Sequence, residues 1–364
     1  MKIKLKNFIF ENYISLIFIL AAIFVCVIWR VSPLRFIAYH DIKVLVILLT
    51  MMLLSAGLEE SGVLSWLAIG TIKVVPSRRM QAWGFVLLSA LFSAFAVNDI
   101  AILTLVPLVF KVFDESGYTP VYPLVLITLS ANLVGAIFPI SNPQNMYLYA
   151  YYGISGIDFI KATIPIVTFS LILITLLVFL LIPDEQVKLD VLQVRVKWWG
   201  ILYGALLVST VVFILWGYDT ALFVILGIAL LLSFIYRRVW LYVDYMLLFT
   251  FIAFFIVSGF ITSHMTIHLN SAIKVYMVSA FLSQFISNVP AATIIADMTR
   301  LWKPLLYGVT VGGTGTIIAS MANFITYRLY KRRRGKTDFM STFHKIAIPL
   351  FFIMLIWGWL LLSV

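Results

Sequence analysis

SALFSAFAVNDIAILTLVPLVF, from Ser89 to Phe110, places the polar pair Asn98-Asp99 in the middle of an apolar run. A stretch of the same kind, SAFLSQFISNVPAATIIA from Ser279 to Ala296, carries Ser287-Asn288 at its centre about 190 residues later. Two polar tips in two halves of one chain suggest one site built twice. Gln81 to Phe113 is too long for a single span, and its polar middle is followed by Pro107, so two short helices meeting at a tip fit it better. In the second stretch Pro290 suits the first turn of a new helix, because it lacks the N–H that would go unpaired there. Helix starts at membrane depth leave free N–H groups and a positive dipole end, which suit an anion. Carbonyls ending the preceding helix suit a cation. Such backbone is tolerated only where protein or a water-filled cavity satisfies it.

The composition puts these tips in a membrane. A chain of 364 residues that is 63% hydrophobic and 11% charged, with mean hydropathy +1.08, cannot hide its apolar surface in a water-soluble globule. Its long uninterrupted runs argue for helices rather than for the alternation of a barrel. Spans are expected near 13–31, 42–58, 122–150, 160–182, 198–215, 219–236, 244–262, 304–327 and 342–362, with re-entrant hairpins at 81–113 and 272–299. MKIKLKN before the first run resembles a signal sequence, but no small-residue cleavage site follows, so an uncleaved first helix is expected. The net charge of +11 sits in short connections between apolar runs, which excludes a nucleic-acid partner and instead orients the chain in the bilayer. With the N-terminus cytoplasmic and the C-terminus external, the cytoplasmic side collects most cations, among them Lys2, Lys4, Lys6, Lys111, Lys188 and the run from Lys331 to Lys336. That run reads as a topology anchor, with anionic-lipid binding as the lesser reading. Arg35 is among the few cations left outside.

The single cysteine, Cys26, rules out an intrachain disulfide or a thiolate metal cluster, and the four histidines give no compact ligand set. No GxxxxGK[ST] motif occurs, so the chain has no nucleotide engine of its own, and no cofactor or resident metal is expected.

The polar stretch Pro183 to Lys197 divides the chain into an N-terminal half, 1–182, a cytoplasmic linker, 183–197, and a C-terminal half, 198–364. The halves show weak self-similarity in the same order: Leu48–Ala68 parallels Leu247–Met265, the two tips correspond, and Val134–Asn145 parallels Gly312–Asn323. The first copy enters its hairpin from the cytoplasm and the second from outside, as expected of inverted repeats. Each hairpin precedes a span with another kind of break. Pro139 and Pro143 bracket Ser141-Asn142 in the broken helix 122–150. Gly312, Gly313 and Gly315 loosen the broken helix 304–327, with Thr314, Thr316, Ser320 and Asn323 around them.

At these residues the chain resembles the ion-transporter superfamily, which includes arsenite-efflux permeases, NhaD-type sodium/proton antiporters, and citrate and divalent-anion/sodium symporters. SAFAVNDIAILTLVPLVF is most similar to the first hairpin of the arsenite-efflux permeases, and ISNVPA resembles the Asn-x-Pro tip of the second. PISNPQN and ASMANF resemble the breaks in the later helices. In the divalent-anion branch each tip carries Ser-Asn-Thr; here Asn98 and Ser287-Asn288 match, while Val97, Asp99 and Val289 depart from it, so a dicarboxylate substrate is not carried over. The resemblance implies a mobile transport domain, a scaffold that often dimerises, and elevator-like movement. An arsenite-type permease can borrow an ATPase partner; nothing in this chain calls for one.

An all-α polytopic secondary transporter of a small anion, organic carboxylate or inorganic oxyanion, coupled to sodium or protons, is therefore the expectation, rather than an enzyme. The candidate substrate- and ion-binding residues are Asn98, Asp99, Ser141, Asn142, Asn145, Ser287, Asn288, Thr314, Ser320 and Asn323, with backbone contributions near Ala96, Gly135 and Gly313 and candidate sodium sites at Asn98 and Asn288. Asp99, an ionisable group on a membrane-embedded tip, is either a cation or proton carrier or a cap for the helix after it. If it carries the exchanged charge, the chain is a sodium/proton antiporter. A passive channel and an intramembrane enzyme are weaker alternatives, since channels do not need paired hairpins and only Asp99 is convincingly embedded. Glu59 and Glu60 are expected to face water, and Tyr147, Tyr149, Tyr151 and Tyr152 to anchor span ends at the interface.

Overall fold

In the computed structural model, residues 13–30, 32, 39–73, 75, 77–115, 117–187, 194–218, 220–264, 268–335 and 338–363 are described. Lys2, Lys4, Lys6, Arg35, Lys188 and Lys336 lie outside them. The first half comprises α1 (Tyr13–Ile28), α2 (Tyr39–Glu60), α3 (Val63–Lys73), α4 (Arg78–Phe95), α5 (Asn98–Glu115), α6 (Val121–Leu133), a 3-10 turn (Gly135–Ile137), α7 (Pro143–Tyr152) and α8 (Gly156–Leu181). The second comprises α9 (Gly200–Trp216), α10 (Ala221–Ile235), a 3-10 turn (Arg237–Tyr242), α11 (Tyr245–His264), α12 (Ala272–Ile286), α13 (Asn288–Ala296), α14 (Trp302–Gly312), α15 (Met321–Arg334) and α16 (Asp338–Ser363). Among the described residues the only extended pairing is an isolated bridge between Ser77 and Gln186.

Stretches 41–60, 156–181 and 338–363 are each long and apolar enough to cross a bilayer alone. The others work in pairs. At 9 residues α13 covers about 14 Å, under half the hydrocarbon thickness, so it reaches depth only by joining α12 at a tip. The first arm of each hairpin packs along the helix that precedes the break: α4 on α6, and α12 on α14. Close approach demands small residues. A Cβ on Gly135 would lie 2.4 Å from the Cβ of Ser93, and one on Gly312 would lie 2.7 Å from the Cβ of Ser283. The long helices α8 and α16 lie beside these pairs, α8 against α6 and α16 against both α14 and α6. Tyr307 on α14 donates to the Ala162 carbonyl at 2.8 Å, and Tyr276 on α12 to that of Leu355 at 3.0 Å.

The remaining helices frame this body. α2 packs against α7, α9 and α10, and α1 lies along α11, where Phe18 meets Phe254 edge-on at 4.6 Å. The polar linker is tied down at both described ends. Arg78 pairs with Glu185 at 2.5 Å and Arg79 with Asp184 at 3.8 Å, while Lys197 pairs with Glu60.

Two expectations are corrected here. Glu60 does not face water: its side chain is 5% exposed and holds Lys197, while Glu59 accepts a hydrogen bond from Thr104 of α5 at 2.6 Å. Each carboxyl group has found a hydrogen-bonding partner where helices cross. Tyr147 and Tyr149 do not anchor an interface either, being only 2% exposed on α7, and Tyr152 donates to the Thr299 carbonyl at 2.9 Å, beyond the end of α13. A helix that starts at a break inside the protein carries its aromatics inward, whatever their interfacial preference.

Candidate functional site

The first tip forms because α4 stops at Phe95 and Ala96 turns extended. The Val97 N–H donates to Ser55 of α2 at 3.3 Å, and Asn98 and Asp99 then open α5. Asp99 thus lies inside the first turn and does not occupy the cap position, which corrects the capping expectation. The second tip turns at Ser287, whose φ of 76° and ψ of 156° lie in a region that side chains avoid. Such a conformation costs about 1–3 kcal/mol and persists where the surroundings enforce it. Here the Asn288 N–H and the Ser287 hydroxyl both donate to the Ala319 carbonyl, at 2.9 and 3.4 Å, holding the tip against the α14–α15 break.

The two breaks are built alike. Asn142 takes an extended conformation before Pro143, as residues preceding proline do, and α7 starts there. Ser320 is extended at the start of α15. Asn145 then donates back to the carbonyls of Ala136 and Phe138 at 3.2 and 3.4 Å, and Asn323 donates to those of Gly313 and Thr316 at 3.0 and 2.9 Å. Each amide closes the broken segment preceding it. Gly313 needs no unusual backbone; a Cβ there would sit 2.8 Å from Nδ2 of Asn288 and force that amide to shift.

One residue outside the expected set gathers the site. Asn132, 1% exposed near the end of α6, accepts from Asn98 at 3.3 Å and from the Ser320 hydroxyl at 2.9 Å through Oδ1. Its Nδ2 donates to Oδ1 of Asn323 at 2.7 Å and its carbonyl accepts from Asn142 at 3.5 Å. Asn98, Asn142, Asn323 and Ser320 therefore share one neighbour, and Asn288 joins through Ala319, next to Ser320. A further link between the halves, beside this network, runs from Thr128 to Thr326 at 2.8 Å. The signal for Asn132 was a lone amide in a 13-residue apolar helix, three positions before Gly135; without its partners it reads as one more packed polar group.

Not every candidate points inward. Ser141 donates to the Phe138 carbonyl at 2.7 Å and Thr314 to that of Val311 at 2.6 Å, so both serve their own turns. Asn98, Asp99, Asn142 and Asn145 each keep a buried Oδ1 without a hydrogen-bond partner. Asp99 is 5% exposed, and the charged groups whose fields reach it are Asp244, just before α11, and Arg328 of α15. Asn142, Ser287 and Ser320 occupy N-cap positions of α7, α13 and α15, yet none of their side chains bonds back to the first turn. The first N–H of α13 is taken by the Ala319 carbonyl, whereas α7 and α15 start without a side-chain cap. Uncapped N–H groups there and the unpaired Oδ1 atoms of Asn98, Asp99, Asn142 and Asn145 are the two kinds of group that bind an anion and a small cation.

Paired short helices and paired breaks around a buried polar centre define a multi-pass membrane transporter. Residues 8–312 match the CitMHS citrate transporter family, and the chain belongs to it. It is 28% identical over 327 residues to a Methanocaldococcus jannaschii protein named as a transporter, covering 88% of this chain and 90% of that one. It is 29% identical over 344 residues to the inner membrane protein YbiR of Escherichia coli, covering 90% and 88%. The crystal structure of the Alcanivorax borkumensis YdaH transporter shares the fold, with a TM-score of 0.51 over 87% of this chain and 84% of that one, at 14% identity.

Proposed function

We propose that this transporter moves a small anion, an organic carboxylate or an inorganic oxyanion, by secondary active transport coupled to sodium or protons. The observation that carries it is the meeting of four helix starts, at Asn98, Pro143, Asn288 and Met321, in one hydrogen-bonded network centred on Asn132. Positive helix ends and uncapped amides would receive the anion. The unpaired Oδ1 atoms of Asn98, Asp99 and Asn142 would offer oxygens to a coupling cation, with sodium at Asn98 and Asn288. The family's description as citrate transporters supports a carboxylate. The two hairpins, with α6, α7, α14 and α15, would move as an inverted-repeat transport domain against a scaffold that dimerises, with the N-terminus cytoplasmic and the C-terminus external.

The test is solute-dependent thermal stabilisation of the purified protein against citrate, dicarboxylates, phosphate, sulfate and arsenite, with and without sodium, at two pH values. A sodium-dependent shift with one anion, lost in Asn98→Ala and Asn288→Ala, is expected. Buried Asp99, with one oxygen unpaired, favours one second reading, a sodium/proton antiporter. Shifts with sodium or pH alone, lost in Asp99→Asn, would replace the anion with that reading.

A further inference from the structure

Away from the centre, a cavity of about 770 Å³ opens between the far ends of α5 and α15. Its lower wall is apolar, formed by Val106, Pro107, Phe110 and Leu329, and its rim carries Lys111, Arg332 and Arg333 around Asp114. Asp114 is already engaged by Arg333 at 3.5 Å and by Arg334. Lys111 and Arg332 are exposed and have no carboxylate partner among the described residues.

We propose that this cavity binds the headgroup phosphate of an anionic phospholipid, with the lipid's acyl portion against the apolar wall. Helix geometry sets the depth. If α5 and α15 both start at the bilayer centre, as the proposed function has them, a rise of 1.5 Å per residue carries Val106 and Leu329 about 12 Å outward. Lys111 and Arg332 reach about 20 and 16 Å on the same count. Half of the hydrocarbon layer is about 15 Å, so Val106, Pro107 and Leu329 lie just inside the acyl region, while Phe110, at about 18 Å, lies with both cations at headgroup level. A phospholipid presents that order of apolar chain and charged phosphate, and basic pockets between transmembrane helices suit anionic headgroups. A free phosphate would match the rim and leave the wall unused. By bridging α5, from the first hairpin, to α15, from the second half, a bound lipid would tie together two elements that both begin at the site.

The experiment uses the full chain purified in a non-ionic detergent, with thermal stability read during titration with phosphatidylglycerol, phosphatidylcholine or inorganic phosphate. Phosphatidylglycerol is expected to stabilise the protein saturably, and the other two to have little effect. The double variant Lys111→Gln/Arg332→Gln is expected to weaken the apparent affinity for phosphatidylglycerol about 30-fold, roughly fivefold per cation. Its stability without lipid should stay unchanged, because neither side chain holds a partner. Should the double variant fail to purify, each single variant reads the fivefold step. Arg237→Gln/Arg238→Gln, a basic pair elsewhere on the surface, should leave the titration as in the wild type. Wild-type titration in the double variant, an equal loss in the Arg237/Arg238 control, or an equal shift with inorganic phosphate would overturn the proposal. Solute-dependent stabilisation is measured separately, so loss of the lipid site leaves the transport reading standing.

Discussion

Replacing Asn132 with alanine should damage both folding and solute binding, since the side chain has three amide or hydroxyl partners in the protein's centre. Its removal leaves the Asn98 Nδ2, the Ser320 hydroxyl and the Asn323 Oδ1 without that partner, all in a region that is 4% exposed or less. A buried polar group deprived of its partner costs about 1–3 kcal/mol. Three such groups set an upper range of about 3–9 kcal/mol, and water entering the vacated space would bring the loss toward about 3 kcal/mol. Asn132→Asp separates the two functions of the amide: it keeps an acceptor for Asn98 and Ser320 but turns a second oxygen toward Oδ1 of Asn323, where a 2.7 Å donor stood. Chemical unfolding in detergent, followed by tryptophan fluorescence, measures the stability, and substrate-dependent stabilisation measures the site. Both variants should lose stability, Asn132→Ala more in packing and Asn132→Asp more in the contact between halves, and both should lose the solute response. An Asn132→Ala protein with wild-type stability and an intact solute response would refute the view that this residue joins the halves.

Ser287→Gly relieves a backbone φ of 76°, worth about 1–3 kcal/mol, but gives up the hydroxyl bond to the Ala319 carbonyl and adds chain entropy, together about 1–2 kcal/mol, so stability should change by no more than about 1 kcal/mol in either direction; a loss of more than about 2 kcal/mol would mean the tip holds no strain. Gly313→Ala should push Asn288 away through a 2.8 Å contact and abolish solute-dependent stabilisation while costing about 1–3 kcal/mol of fold stability, and retention of the solute response would show that the Asn288 amide lies outside the site. Thr104→Val should destabilise by about 1–3 kcal/mol by leaving the Glu59 carboxylate without its hydroxyl donor, whereas an unaltered unfolding curve would show that water already serves that carboxylate.

Much of the scaffold was legible because membrane proteins expose their constraints locally. Asn98-Asp99 and Ser287-Asn288 stood out as polar groups in long apolar runs, and Pro143 and the glycines at 312–315 marked where helices stop. A proline has no N–H wherever it sits, so such marks survive any tertiary context. The errors came from groups whose fate depends on neighbours. Glu59 and Glu60 follow an apolar span and read as water-facing, yet Thr104 and Lys197 cover them. The tyrosines of α7 have the composition of an interfacial belt, but their helix begins at a break inside the protein.

By itself the sequence determined a helical membrane protein, two polar tips and two broken segments, because hydropathy and backbone restriction act over a few residues. Only the tertiary structure decided that Asn132 would be the meeting point, that Asn145 and Asn323 would turn back on their own breaks, and that Ser141 and Thr314 would serve their own turns. An amide has the same donors and acceptors everywhere. Which groups it meets depends on the packing of α6 against helices from the other half of the chain, some 190 residues away in sequence and within hydrogen-bonding distance in the fold.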